Sequence, residues 1–197
     1  MFSIINNKNI YLASASPRRR QLLANLDIDV KLIQPRDVDE SFPAETPVEN
    51  VAEYISRKKA EAYTHDIGPD DIIITADTVV ICDGIVMGKP HGRPENAREM
   101  LRQLSGKRHK VITGVTLTTR NHGMQSFSTT TIVEFKKLSD KEINYYVDKY
   151  RPFDKAGAYG IQEWIGYIGI SGISGDYYNV VGLPLRSLYR HLRALLA

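Results

Sequence analysis

Asn9-Ile10-Tyr11-Leu12-Ala13-Ser14-Ala15-Ser16-Pro17-Arg18-Arg19-Arg20 is the stretch from which the fold can be read outward. Asn9 to Ala13 reads as a short strand, and Pro17 to Leu26 reads as a helix. Ser16 stands where an N-cap belongs, and Pro17 suits the first helical position, where no N–H is needed. The helix start therefore brings free backbone N–H groups, the positive dipole end and three guanidiniums together. Arginine's planar fork holds two oxygens at once, so Ser14 to Arg20 is a candidate anion site. Alone, the stretch also fits a solvated basic helix start. Arginines in a first turn oppose the helix dipole, however, and that mismatch favours an anionic ligand.

The chain has 197 residues, enough for a sizeable core, with 42% apolar and 25% charged residues, the proportions of an ordinary globular protein. A net charge of +3 suits an anionic small molecule and is too weak to imply nucleic-acid binding. Cys82 is the only cysteine, which excludes an intrachain disulfide and a cysteine-based metal cluster. Met1-Phe2-Ser3-Ile4-Ile5-Asn6-Asn7 has neither the basic nor the long apolar region of a signal peptide. No apolar run approaches the roughly 20 residues that span a bilayer. A cytoplasmic protein is expected, with no membrane and no nucleic acid among its partners.

Beyond the first helix, Val30 to Gln34 reads as a strand and Pro35 to Glu45 as a polar loop. Thr46-Pro47-Val48-Glu49 reads as a capping box that opens a helix to about Tyr63. Asp71 to Cys82 is a β-branched run, and Asp83-Gly84 turns it into a return strand, Ile85 to Gly88. Pro94 opens a helix that Ser105-Gly106 closes. Lys110 to Thr119 and Gln125 to Lys136 read as strands around Asn121-His122-Gly123. Ser139-Asp140-Lys141-Glu142 is a second capping box, for a helix to about Tyr150. Phe153 to Gly182 is rich in Gly and Tyr, with short strands expected near Trp164 to Ile170. A last helix from Pro184 carries Leu185, Leu188, Leu192 and Leu195 on one face. Early alternation of helix and strand, with hairpins in the middle, predicts an α/β domain with a mixed sheet.

Several residues could carry chemistry. Asp77 interrupts an apolar β run, where a carboxylate is costly unless paired, hydrogen-bonded or metal-bound. It reads as a metal ligand or the base that activates water, against the plainer reading of a half-exposed strand residue. Asp37, Asp39 and Glu40 lie in a polar loop, where acidic residues are usually just solvated. A Mg²⁺ site nevertheless needs one or two carboxylates beside substrate phosphates, and this loop can supply one. Lys59 and Lys89 are ordinary surface lysines by type, although Gly88 and Pro90 fix the backbone around Lys89. In Asp154-Lys155-Ala156-Gly157-Ala158-Tyr159-Gly160-Ile161-Gln162, small residues permit close backbone approach. The Gln162 amide can read a base edge, and a tight turn region explains the segment equally well. A dinucleotide-binding glycine motif, a Walker lysine loop, a nucleophile elbow and metal-spaced histidines are all absent from the sequence.

These pieces, in this order, resemble the Maf family of nucleoside triphosphate pyrophosphatases over essentially the whole chain. The resemblance is carried by Ser14-Ala15-Ser16-Pro17-Arg18-Arg19, Asp37-Val38-Asp39-Glu40, Arg57-Lys58-Lys59-Ala60, Ala76-Asp77-Thr78, Gly88-Lys89-Pro90, Leu104-Ser105-Gly106, Asp154 to Gln162 and Val181-Gly182-Leu183-Pro184. It implies one domain over residues 1–197, with a mixed central sheet flanked by helices and two lobes around a nucleotide-binding cleft, as in inosine triphosphatases. An arginine after Ser-Pro, Asp-Thr on the strand and the Gly-Ile-Gln ending are similar to the dTTP/UTP branch. That branch implies hydrolysis of dTTP, UTP and modified pyrimidine nucleotides to the monophosphate and pyrophosphate, as a house-cleaning activity.

The resemblance also implies the roles. Arg18, Thr78 and Gln162 match specificity positions, and Asp77 matches the proton acceptor. Ser14, Arg18, Arg19, Lys59 and Lys89 match phosphate-binding positions. Glu40 and Asp77 match the carboxylates of a Mg²⁺ or Mn²⁺ site, with Asp39 the alternative one residue away. Gly92 and Arg93 depart from the pattern, since many members carry an acidic residue soon after the proline. A homodimer is implied, although no heptad or apolar stripe in the sequence demands one. The alternative function is a nucleotide-binding regulator of septum formation without significant turnover.

Overall fold

The computed structural model describes residues 8–65 and 67–195. The stretch 1–7, read above for a leader, lies outside them. Strand β1 is Asn9–Leu12, and Ile10 and Leu12 are buried while Tyr11 is half-exposed, the period-2 pattern of a strand. Helix α1, Pro17–Ala24, follows, and Ser16 caps it in an extended conformation, its hydroxyl accepting from the Arg19 N–H. Strand β2, Val30–Leu32, pairs with β1 in parallel, so α1 is the crossover that a parallel pair requires.

A 3₁₀ turn, Val48–Asn50, leads into α2, Val51–Glu61. Here the capping box expected at Thr46 is not the device that starts the helix. The turn begins one residue later, so Pro47 takes the N-cap position, where it has no side-chain acceptor to offer. Strand β3 covers Asp71–Cys82, as the β-branched run predicts, and pairs in parallel with β1. Asp83 and Gly84 both have positive φ, the geometry of a type I′ turn, and β4, Ile85–Met87, returns antiparallel to β3. Helix α3, Pro94–Leu104, ends at Ser105 with Gly106 at positive φ.

Strands β5, Arg108–Thr119, and β6, Gly123–Phe135, flank the expected turn. The Ser139–Glu142 capping box is formed in full at the start of α4, Asp140–Tyr150. The segment Trp164–Gly169, expected as strand, is helix α5 instead, and only Ile170–Ser174 is strand, β7. Gly166 explains the difference: a Cβ there would lie 1.8 Å from the Ile161 carbonyl oxygen, so the turn of helix sits hard against the preceding backbone. Short helix α6, Tyr177–Val181, and α7, Leu185–Leu195, complete the chain, with Leu185, Leu188 and Leu192 of α7 buried.

Among the described residues the strands form one seven-stranded mixed sheet in the order β2-β1-β3-β5-β6-β7, with β4 paired to β3. Two compact units are distinguished. The first comprises the described residues within 1–77, 113–129 and 182–197 and contains β1, β2, α1, α2 and α7. The second comprises residues 78–112 and 130–181. Its core gathers Leu101 and Leu104 of α3, Val133 and Phe135 of β6, Ile143 and Tyr146 of α4, and Ile165 of α5. No helix among the described residues is long and apolar enough to cross a membrane.

Candidate active site

In the first unit, helix α2 is set against the sheet by a buried chain of hydroxyls. Thr75 Oγ1 of β3 donates to the Ser56 carbonyl at 2.7 Å. Ser56 Oγ lies 2.9 Å from Thr116 Oγ1 of β5, which lies 3.0 Å from Ser126 Oγ of β6. Ser56, Thr75 and Thr116 are fully buried, so each hydroxyl needs such a partner. Gly114 lets the helix come this close: a Cβ there would stand 2.4 Å from the Ala52 carbonyl carbon and from Glu53 Cα.

Lys59 is one helical turn beyond Ser56, and Asp77 is two strand residues beyond Thr75, so both follow on the same faces. Lys59 Nζ accordingly lies 2.7 Å from Asp77 Oδ1. The same ammonium lies 2.8 Å from Glu40 Oε1 of the polar loop. Asp77 is the most enclosed of the three, its side chain 14% exposed against 20% for Lys59 and 49% for Glu40. Two carboxylates from separate segments thus converge on one cation.

Asp39 is directed elsewhere. Its carboxylate accepts from the Ser41 amide at 2.9 Å, from the Ser41 hydroxyl, and from Lys58 Nζ at 3.2 Å. The Ser41 bonds, with Lys58 behind them, hold it at about pKa 2. Of the two adjacent acids, Glu40 is the one that shares the ammonium with Asp77.

The arginine-rich helix start divides its labour. Arg19 Nε donates to the Gly182 carbonyl at 2.8 Å, and Nη1 donates to the Ala76 carbonyl at 2.9 Å and to Ser14 Oγ at 3.3 Å. Ser14 Oγ also accepts the Ser16 N–H at 3.3 Å. Arg19 therefore ties α1 to the strand residue preceding Asp77. Burial pulls its guanidinium below the ordinary value, Asp77 opposes that, Arg18 adds to it and Glu40 opposes it, so all four share one electrostatic neighbourhood. Arg18 is half-buried at the same helix start.

The remaining sequence-predicted residues belong to the second unit. Thr78 follows Asp77 on β3 and is half-buried, and Lys89 is exposed just after β4. Gln162 lies in a tight turn closed by the Glu163 N–H donating to the Gly160 carbonyl at 3.0 Å. Its amide oxygen Oε1 is buried with no hydrogen-bond partner among the described residues. Gly157, at positive φ, approaches Val80, and its N–H donates to the Gly88 carbonyl at 3.1 Å. The small residues of the Asp154–Gln162 stretch thus serve close packing, as expected.

The sequence reading missed Ser56, Thr75, Thr116 and Gly114, which seat the helix that carries Lys59. A signal was present: serine on the apolar face of α2, and threonines and a glycine inside otherwise apolar strands. Tyr146, Lys155 and Glu163 were missed as well. Among the described residues, no group of three or more His, Cys, Asp or Glu converges as a metal cage. The donor set at Lys59, two carboxylates on one cation, fits a divalent ion that takes its other ligands from substrate phosphates.

The family model described as Maf-like protein matches residues 9–195. The chain is 53% identical to a Bacteroides thetaiotaomicron protein named dTTP/UTP pyrophosphatase, over 99% of this chain and 100% of that one. It is 50% identical to a Parabacteroides distasonis protein of the same name, over 98% and 99% of the two chains. Among solved structures, the Ham1 protein of Staphylococcus aureus superposes with a TM-score of 0.53 at 18% identity, covering 96% of this chain and 98% of that one, a likeness of fold. With a family match over nearly its whole length and full-length relatives at half identity or more, this chain belongs to the Maf-like protein family.

Proposed function

We propose that this chain is a nucleoside triphosphate pyrophosphatase that hydrolyses dTTP and UTP to the monophosphate and pyrophosphate. Residues 1–197 are read as one Maf-like domain. The observation that supports the reading most is the convergence of Glu40 and Asp77 on Lys59, beside a helix start that carries Arg18 and Arg19. The relatives' shared name supplies the substrate class.

In this reading Arg18, Lys59 and Lys89 contact the polyphosphate, and Ser14 and Arg19 fix the helix start while adding hydrogen-bond donors and charge. Water attacks the α-phosphorus, the α–β phosphoanhydride bond breaks, and pyrophosphate leaves. The Asp77 carboxylate accepts the proton of the attacking water, since it is the most enclosed carboxylate of the cluster. Lys59 keeps that carboxylate oriented through its 2.7 Å contact. Glu40 would be the principal ligand for Mg²⁺ or Mn²⁺, with Asp77 beside it. Bound there, the ion would offset the negative charge of the phosphates and acidify water. Thr78 and Gln162 read the pyrimidine, with Arg18 as the third specificity position. Release of pyrophosphate from dTTP and UTP, set against CTP, ATP and GTP, tests the reading.

A further inference from the structure

One phenol in the second unit holds both ends of the turn that carries Gln162. Tyr146, fully buried on α4, accepts the Gly160 N–H at 3.0 Å and donates its own proton to Glu163 Oε2. Gly160 and Glu163 are the residues on either side of Ile161-Gln162. Lys155 Nζ, 3.1 Å from the other oxygen of Glu163, bonds Asp154 at 2.8 Å as well, and its side chain is 10% exposed. Gly160 makes the arrangement compatible with the backbone, since a Cβ there would sit 2.8 Å from Glu163 Cδ. Tyr167 OH donates to the Gln162 carbonyl at 2.9 Å.

The held residue keeps an unanswered acceptor. A buried amide oxygen without a partner costs free energy that a ligand N–H recovers, and such sites discriminate strongly because the wrong ligand leaves the cost in place. Uracil and thymine present an imide N3–H at that edge, whereas cytosine presents a bare N3 acceptor. The value of the acceptor depends on its being held still, since a loose turn would let water satisfy it.

We propose that Tyr146, Glu163 and Lys155 are positioning residues for base discrimination, clamping the Gly160–Glu163 turn so that Gln162 Oε1 is presented to the imide N–H of uracil or thymine. The proposal rests on the reading of Gln162 as a base-contacting residue. None of the three residues touches the reacting phosphates in this scheme, so their effect falls on KM and on selectivity.

The test is the ratio of kcat/KM for UTP to that for CTP, with thermal melting measured alongside, in the wild-type protein and in Tyr146→Phe, Glu163→Gln and Gln162→Ala. Tyr146→Phe keeps the ring and removes both bonds. Glu163→Gln keeps the shape and can still accept from Tyr146. Tyr146→Phe is expected to narrow the ratio by about tenfold, mainly through the KM for UTP, with Glu163→Gln showing a smaller change in the same direction. A lowered melting temperature with the ratio intact in Tyr146→Phe, while Gln162→Ala collapses it, would overturn the clamp and leave base reading by Gln162 standing. If Gln162→Ala leaves the ratio intact, base reading itself fails and the clamp with it. Should Tyr146→Phe not fold, the ratio in Glu163→Gln decides: narrowed supports the clamp, unchanged overturns it.

Discussion

Lys59 and Asp77 meet at 2.7 Å one step beyond the buried bond from Thr75 to the Ser56 carbonyl, so the ion pair and the core hydrogen bond are successive rungs between the same helix and strand. Asp77 is thereby placed by packing rather than by a loop. Residues that act as a unit have non-additive effects. In a cycle of Lys59→Met, Asp77→Asn and the double variant, kcat/KM for dTTP should show a coupling on the order of 1 kcal/mol or more. Strictly additive losses would mean the two side chains act independently.

The same ladder predicts which core changes reach the site. Gly114→Ala forces a methyl against the backbone of Ala52 and Glu53, where nothing flexible can yield. A cost of about 3 kcal/mol or more is expected from such overpacking, with activity falling as Lys59 is displaced. Thr75→Val removes only one hydrogen bond and should cost about 1 kcal/mol. Urea unfolding of the two variants, with turnover measured in parallel, checks the order; equal costs would contradict it.

Adjacent acids in the polar loop should differ sharply. Glu40→Gln removes one of the two carboxylates at Lys59 and is expected to lower turnover by about tenfold or more, with a higher Mg²⁺ requirement. Asp39→Asn disturbs only the Ser41 and Lys58 contacts and should leave turnover within about threefold. Pyrophosphate release titrated with Mg²⁺ separates them, and the reverse order would assign the ligand to Asp39.

His109 gives the fold a pH signature distinct from its carboxylates. It is buried, its Nε2 lies 2.8 Å from the Tyr159 hydroxyl, and burial lowers its pKa from 6.5 to about 4. The unfolded chain therefore binds a proton here between pH 6.5 and 4 that the folded chain does not. Stability is full above about pH 6.5 and falls as pH drops toward 4, by about 3 kcal/mol for the whole shift. Asp39 and Glu142, both held at about 2, lose their contributions later, as pH falls from their ordinary values of 3.8 and 4.5 toward 2. His109→Gln should flatten the melting temperature between pH 7 and 5; an unchanged slope would show that His109 is not the group responsible.

Much of this was legible from residue order. Asp83-Gly84, the Ser139 capping box and the β-branched run ending at Cys82 are local signals, and each was found where its chemistry put it. Asp77, a carboxylate inside an apolar run, announced itself by its cost. The helix at Trp164 was misread because Gly and aromatic residues suggest strands locally, whereas the contact of Gly166 with the Ile161 backbone is tertiary. Ser56, Thr116 and Gly114 were opaque for the same reason: a buried hydroxyl resembles a surface one until its partner, 60 residues away, is known. That Glu40 meets Lys59 while Asp39 turns to Ser41 and Lys58 needed the direction of each side chain, which no spacing rule supplies.

Asp77 is proposed to take the proton of the water that cleaves pyrimidine triphosphates at the α–β anhydride. The most direct test is pyrophosphate release from dTTP, UTP, CTP, ATP and GTP with Mg²⁺ or Mn²⁺, by the wild-type protein and by folded Asp77→Asn. Cleavage of dTTP and UTP in preference to the others is expected, reduced by about 10²-fold or more in Asp77→Asn. Near-normal turnover in that variant, or no cleavage of any triphosphate by the folded protein with metal present, would contradict it.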